Sequence, residues 1–221
     1  MGALFVAIAM DEALRRVPFE TPSPFWQPIA AMQWAPSAKT MEIVLGAKPE
    51  RAQRIQVLLK ATYQDNIFAV IYALFMSVLA IQVARFSRQR SYFYLVIPGL
   101  VAGLADLVEN SITQDVLLSL ESQVAEPSGT DYARLHFFAQ IKWAAVTIYF
   151  AGVMPFLWSR GGMAEHLLGL ISGLVVVMWF LTQFSVAWAE PYLATVFMLF
   201  GAAVVYCWLP LRVPASPPAN S

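Results

Sequence analysis

The sequence predicts an all-α integral membrane protein: a helical bundle of about five transmembrane helices with an amphipathic N-terminal helix before it. Three observations carry that expectation. Of the 221 residues, 59% are hydrophobic and 13% charged, about half the charged share of an ordinary soluble domain. Mean hydropathy is positive. Apolar windows long enough for a helix to cross a bilayer recur five times along the chain. The formal net charge is zero and no Lys/Arg-rich tract is present, which argues against nucleic acid as a partner. The expected partners are the lipid bilayer and other membrane-protein subunits.

Three regions are expected: an interfacial segment over residues 1–62, a transmembrane bundle over 63–209 and a disordered polar tail over 210–221. The first ten residues, MGALFVAIAM, are too few to span and lack a basic stretch before them, so they are expected to lie in the interface or on the bundle, without a cleaved signal. Residues 17–36 hold five of the fourteen prolines together with Phe19, Phe25, Trp26 and Trp34. Proline removes donors and Trp favours the headgroup level, so this stretch reads as an irregular run along the membrane surface. Ser37 is placed to cap a short helix ending at Gly46. Pro49 suits the first position of a longer helix. There Ile55, Leu58, Leu59 and Thr62 share a face, while Arg51, Arg54 and Lys60 are expected to stay wet.

The first span is expected over residues 66–84, about 28 Å at the helical rise. The second is placed at Tyr92 to Ile112 and the third at Phe137 to Trp158. The fourth, Ala164 to Ala187, and the fifth, Pro191 to Leu209, are joined through the short Trp-Ala-Glu-Pro connection at 188–191, which implies a hairpin. Sidedness is a tie: Arg85, Arg88, Arg90, Arg160 and Arg212 fall on one side, and Lys48, Arg51, Arg54, Lys60 and Arg134 on the other. The short, arginine-dense loop at 85–90 favours the cytoplasm for its side.

Against this apolar background the stretch GLADLVENSIT, residues 103–113, places two acids and an amide within one helix turn and a half. Asp106 and Glu109 are three apart and Asp106 and Asn110 four apart, so all share one face. Gly103 and Gly99 continue that face as a small-xxx-small pattern that allows a neighbouring helix close. Because spans alternate in direction, Asp65 at the start of the first, the acids near the end of the second and Lys142 early in the third lie at similar depth. Tyr72 is on the face of Asp65, and Tyr149 on that of Lys142. Thr182, Gln183 and Glu190 fall on the same side of the membrane, and Arg134 is a further cation within reach of it.

An ionised group at membrane depth costs about 2.5–3.5 kcal/mol on insertion scales. Asp65, Asp106 and Glu109 face a single lysine. The surplus of negative charge calls for a proton, a cation or a cationic ligand. Two readings of the cluster stay open at this point. It is a binding site for a proton, cation or polar headgroup in a non-enzymatic membrane protein, or it is an ion network that sets helix register. A third reading is a membrane enzyme using paired carboxylates as general acid and base on a lipid or isoprenoid. The candidate binding residues are therefore Asp65, Tyr72, Asp106, Glu109, Asn110, Lys142 and Tyr149.

Other chemistry finds little support. His136 and His166 fall near opposite membrane faces, and no Glu-x-x-His pair is present, so no metal is expected. Cys207 is the single cysteine and reads as a small hydrophobe. No nucleophile elbow, phosphate loop or zinc-protease motif occurs, and no cofactor is named by the sequence.

Across residues 32–155, the order MQWA, YQDNIFAVIYALF, GLADLVENSIT and AQIKWAAV resembles a group of uncharacterised bacterial multi-span membrane proteins. That group carries an Asp before an aromatic-rich first span, Asp-x-x-Glu-Asn at the end of the second and Lys-Trp early in the third. The matching positions are Asp65, Tyr72, Asp106, Glu109, Asn110, Lys142 and Trp143. The resemblance implies that these residues belong together and that the chain resides in a bacterial cytoplasmic membrane. It implies no activity.

Overall fold

In the computed structural model, residues 18–47, 49–122 and 126–208 are described. The expectations for the first ten residues and for the tail at 210–221 lie outside them. Among the described residues seven α-helices follow one another: α1 (Pro28–Trp34), α2 (Ala38–Leu45), α3 (Glu50–Ser87), α4 (Val96–Ser122), α5 (Gly129–Ser159), α6 (Met163–Phe184) and α7 (Ala189–Trp208). Short 3-10 turns, Arg90–Leu95 and Val186–Trp188, lead into α4 and α7. With those turns included, five helical stretches are long and apolar enough to cross a membrane. Helices suit that setting because each backbone donor finds its acceptor within the same segment. The protein is an all-α membrane bundle.

Consecutive long helices are neighbours, α3 on α4, α4 on α5, α5 on α6 and α6 on α7, while α1 rests on α5 and α7. The start of α3, the end of α4, the start of α5 and the end of α6 therefore share one end of the bundle, and α1 and α2 sit there too. The α3/α4 contact is close because small residues meet: buried Ala69 and Ala73 lie against Gly103, and Met76 and Ser77 against Gly99. A Cβ on Gly103 would stand 2.6 Å from that of Ala73 and 3.3 Å from the Ala69 carbonyl oxygen. Only a glycine lets the two backbones come so near.

Local signals act where they were expected. Ser37 caps α2, its hydroxyl accepting from the Thr40 amide, and Gly46 ends the helix at φ 67°, a left-handed conformation that favours glycine. The longer helix begins at Glu50 with Pro49 as its cap, one position later than anticipated. At α5, Ser128 and Asp131 form a reciprocal capping box that the spacing had not suggested.

The amphipathic helix runs on into the first span, as expected, with nothing between Glu50 and Ser87 to break it. Three expectations need correction. The stretch 17–36, expected to run irregularly along the membrane surface, contains the helix α1, whose residues Ala30 to Trp34 are buried, because Pro28 suits a first helical turn and the apolar run after it packs on the bundle. The second and third helices overrun the membrane-length windows: α4 continues to Ser122 and α5 begins at Gly129. Val116, Leu117, Tyr132 and Leu135 give those extensions a buried apolar face, so packing carries them beyond the depth set by hydropathy. Arg54, expected to stay wet, is buried at 4% exposure. Its guanidinium reaches back over Gly46, donating to the Val44 carbonyl at 3.4 Å and pairing with Glu50 at 2.9 Å. A cation at the end of α2 complements that helix dipole.

The fourth span stops at Phe184. Extended Ser185, whose hydroxyl accepts from the Ala187 amide, starts the 3-10 turn that hands over to α7 at Ala189.

Candidate functional site

The inward face of α4 delivers Asp106, Glu109 and Asn110, exposed by only 3%, 1% and 4%. From α5, Lys142, also buried, places its ammonium between the two acids. Nζ lies 2.8 Å from Asp106 Oδ1 and 2.6 Å from Glu109 Oε2. The contact to Asp106 is a well-directed hydrogen bond, whereas the one to Glu109 is an ion pair in which Oε2 has no aligned donor. The ammonium also stands 4.7 Å from the centroid of the Trp143 ring, a cation–π contact in a poorly hydrated setting.

The first transmembrane helix adds two groups. The Tyr72 hydroxyl sits 3.0 Å from both Asp106 Oδ2 and the Ala102 carbonyl; its single proton goes preferentially to the charged oxygen. Asp65, half-buried, accepts from Asn110 Nδ2 at 3.1 Å. Both links depend on the close α3/α4 approach at Gly103, one turn from Asp106. Acids from the first two transmembrane helices and an amine from the third thus meet in one buried cluster.

Beside Asp65, Glu109 and Asn110 lies a cavity of about 30 Å³, lined also by Gln33, Thr62 and Thr113. That is room for one or two waters or a small ion. A larger cleft, about 650 Å³, opens on the surface between the α1/α2 connection and the start of α5 and does not include the acids.

The remaining expected residues lie elsewhere. The Tyr149 hydroxyl donates to the Met76 carbonyl at 2.7 Å, so its hydrogen goes to the α3 backbone and not to a carboxylate. Thr182 bonds the Trp179 carbonyl, and Gln183 reaches Gln140 at 3.4 Å. Arg134 is exposed, and the cluster's ion pairs are those of Lys142. Among the described residues, no group of three His, Cys, Asp or Glu side chains has the arrangement of a metal site.

Sequence reasoning passed over Gln33. It is 7% exposed and lines the cavity together with Glu109, while its carbonyl meets His136 Nδ1 at 3.3 Å. One signal was available: a lone amide inside the apolar run Ala30–Trp34. Glu190 was noticed only for its depth. Its Oε1 accepts from the Trp26 and Gln27 amides, both at 2.7 Å, fastening the chain ahead of α1 to the first turn of α7.

Compared with known protein families, curated proteins and solved structures, the chain matches none. What the fold and the site define is an integral membrane protein with a buried carboxylate and lysine cluster at one end of its bundle.

Proposed function

We propose that the protein is a non-enzymatic membrane protein whose Asp65/Asp106/Glu109/Lys142 cluster takes up a proton or a small cation, acting alone or as a subunit of a larger membrane complex. The observation that carries this reading is the imbalance within the cluster: one ammonium is shared by two buried carboxylates, and the third acid is held by an amide. Neither tyrosine nor asparagine supplies positive charge. In a medium of low dielectric the surplus must be met by a proton or a cation, and the adjoining cavity has oxygen-bearing walls and the volume for either.

The volume also bears on the alternatives. A lipid-converting enzyme needs a hollow of several hundred Å³ beside its acids, and the space there is about 30 Å³. A polar headgroup meets the same limit. Membership in the bacterial group that shares Asp-x-x-Glu-Asn and Lys-Trp, with residence in a bacterial cytoplasmic membrane, belongs to the proposal and accords with the joining of Asp106, Glu109, Asn110 and Lys142 in one cluster.

Thermal unfolding of the purified protein tests the reading, scanned from about pH 5 to about pH 9 and in sodium, potassium or choline chloride at fixed ionic strength. The wild-type midpoint should move with pH or with the cation, and Glu109→Gln and Asp106→Asn should flatten that response. Two variants that keep the wild-type midpoint and the full response would overturn ion binding at this cluster.

A further inference from the structure

We propose that Gln33 is a contact residue of this ion site, carried there by the segment 25–34 and held in place by Glu190, so that the site is complete only while that segment is docked. The inference rests on the proposed ion binding and adds the element that closes the site.

Four observations converge on it. Gln33 is a buried amide in a segment that precedes the five described membrane-crossing helices, and it lines the same small cavity as Asp65, Glu109 and Asn110. An amide offers both a carbonyl acceptor and two N–H donors, so it can ligate a bare cation or donate to an ionised Glu109. The segment bringing it is built to dock: Phe25, Ala30, Ala31, Met32 and Trp34 are all buried, and Trp34 packs edge-on against Tyr192 of α7 at 6.0 Å.

Docking has its own clasp. Glu190 is 5% exposed, and a single carboxylate oxygen gathers two consecutive backbone N–H groups from Trp26 and Gln27. These donors precede the first turn of α1 and have no helical acceptor. A buried carboxylate that, among the described residues, serves a strap two residues from a helix start and no ion pair is explained by the need to seat that helix. The charged and titratable groups of the site that Gln33 lines are Asp65 on α3 and Glu109 on α4 beside it, with Tyr72, Asp106 and Lys142 linked to them, and His136 on α5 at the Gln33 carbonyl.

The test uses the full chain in detergent with Cys207→Ser and a reporter, Ala31→Cys, at a position with no exposure. Thiol labelling reads docking, and the shift of the unfolding midpoint with pH, sodium or potassium reads the site. Glu190→Leu should raise the labelling rate about tenfold and remove most of the shift. Glu190→Gln retains an acceptor oxygen and should match wild type in both. Gln33→Leu should remove most of the shift while labelling stays slow, because its apolar side chain still packs.

A wild-type shift that survives Gln33→Leu overturns the contact role. Unchanged labelling in Glu190→Leu overturns the clasp. A wild-type protein with no shift at all overturns the ion-binding reading itself, and the labelling comparison then still decides whether Glu190 holds the strap.

Discussion

Replacing Lys142 by Met keeps most of the side chain's length and removes its charge. The ammonium touches Asp106 at 2.8 Å and Glu109 at 2.6 Å, and all three side chains are no more than 4% exposed. Without it, two carboxylates remain at one depth in a dry helix interface, with Tyr72 the nearest remaining donor to Asp106. Breaking one buried pair this way typically costs about 3–5 kcal/mol, mostly from the charge left behind. For a chain of this size that corresponds to a fall in unfolding midpoint of roughly 6–20 °C. Acidification supplies the orphaned carboxylates with protons and removes buried charge. The deficit should therefore be greatest at alkaline pH and shrink as pH falls. Neutralising the acids as well, in Lys142→Met with Asp106→Asn and Glu109→Gln, should restore most of the loss, since no uncompensated charge remains. Thermal unfolding of the purified variants, followed by tryptophan fluorescence at several pH values, measures all three effects. A Lys142→Met protein within about 1 kcal/mol of wild type at neutral pH, or a triple variant weaker than the single one, would refute the account of Lys142 as the shared counter-ion.

Two further perturbations probe the contacts that assemble the cluster. Gly103→Val puts methyl groups where Ala73 already stands 2.6 Å from a bare Cβ; it should cost about 1–3 kcal/mol by overpacking, and more than Gly99→Ala, whose Cβ meets that of Met76 at 3.1 Å. Equal unfolding midpoints for the two would contradict the close α3/α4 approach. Tyr72→Phe removes one hydroxyl from Asp106 and should lower stability by about 1–2 kcal/mol, with a change in the pH response that Tyr149→Phe, which loses a bond to the Met76 carbonyl, does not reproduce.

Spacing along single helices was legible before any coordinates. Hydropathy marked the five spans, because a bilayer of fixed thickness demands apolar segments of fixed length. The helical period placed Asp106, Glu109 and Asn110 on one face, and alternating span direction brought Lys142 to their depth. Ser37 and Gly46 announced the ends of α2 through chemistry confined to one turn. Tertiary structure decided what depends on how helices rotate and approach one another. It gave Lys142 both Asp106 and Glu109, assigned Asp65 to Asn110 and sent the Tyr149 hydroxyl to a backbone carbonyl. It also buried Arg54 over the end of α2 and brought Gln33 against Glu109 across 76 positions of chain. The division has a physical origin. Helical periodicity is a property of the backbone and is written locally, whereas interhelical register is fixed by which small side chains let backbones meet, as Gly103 does with Ala73.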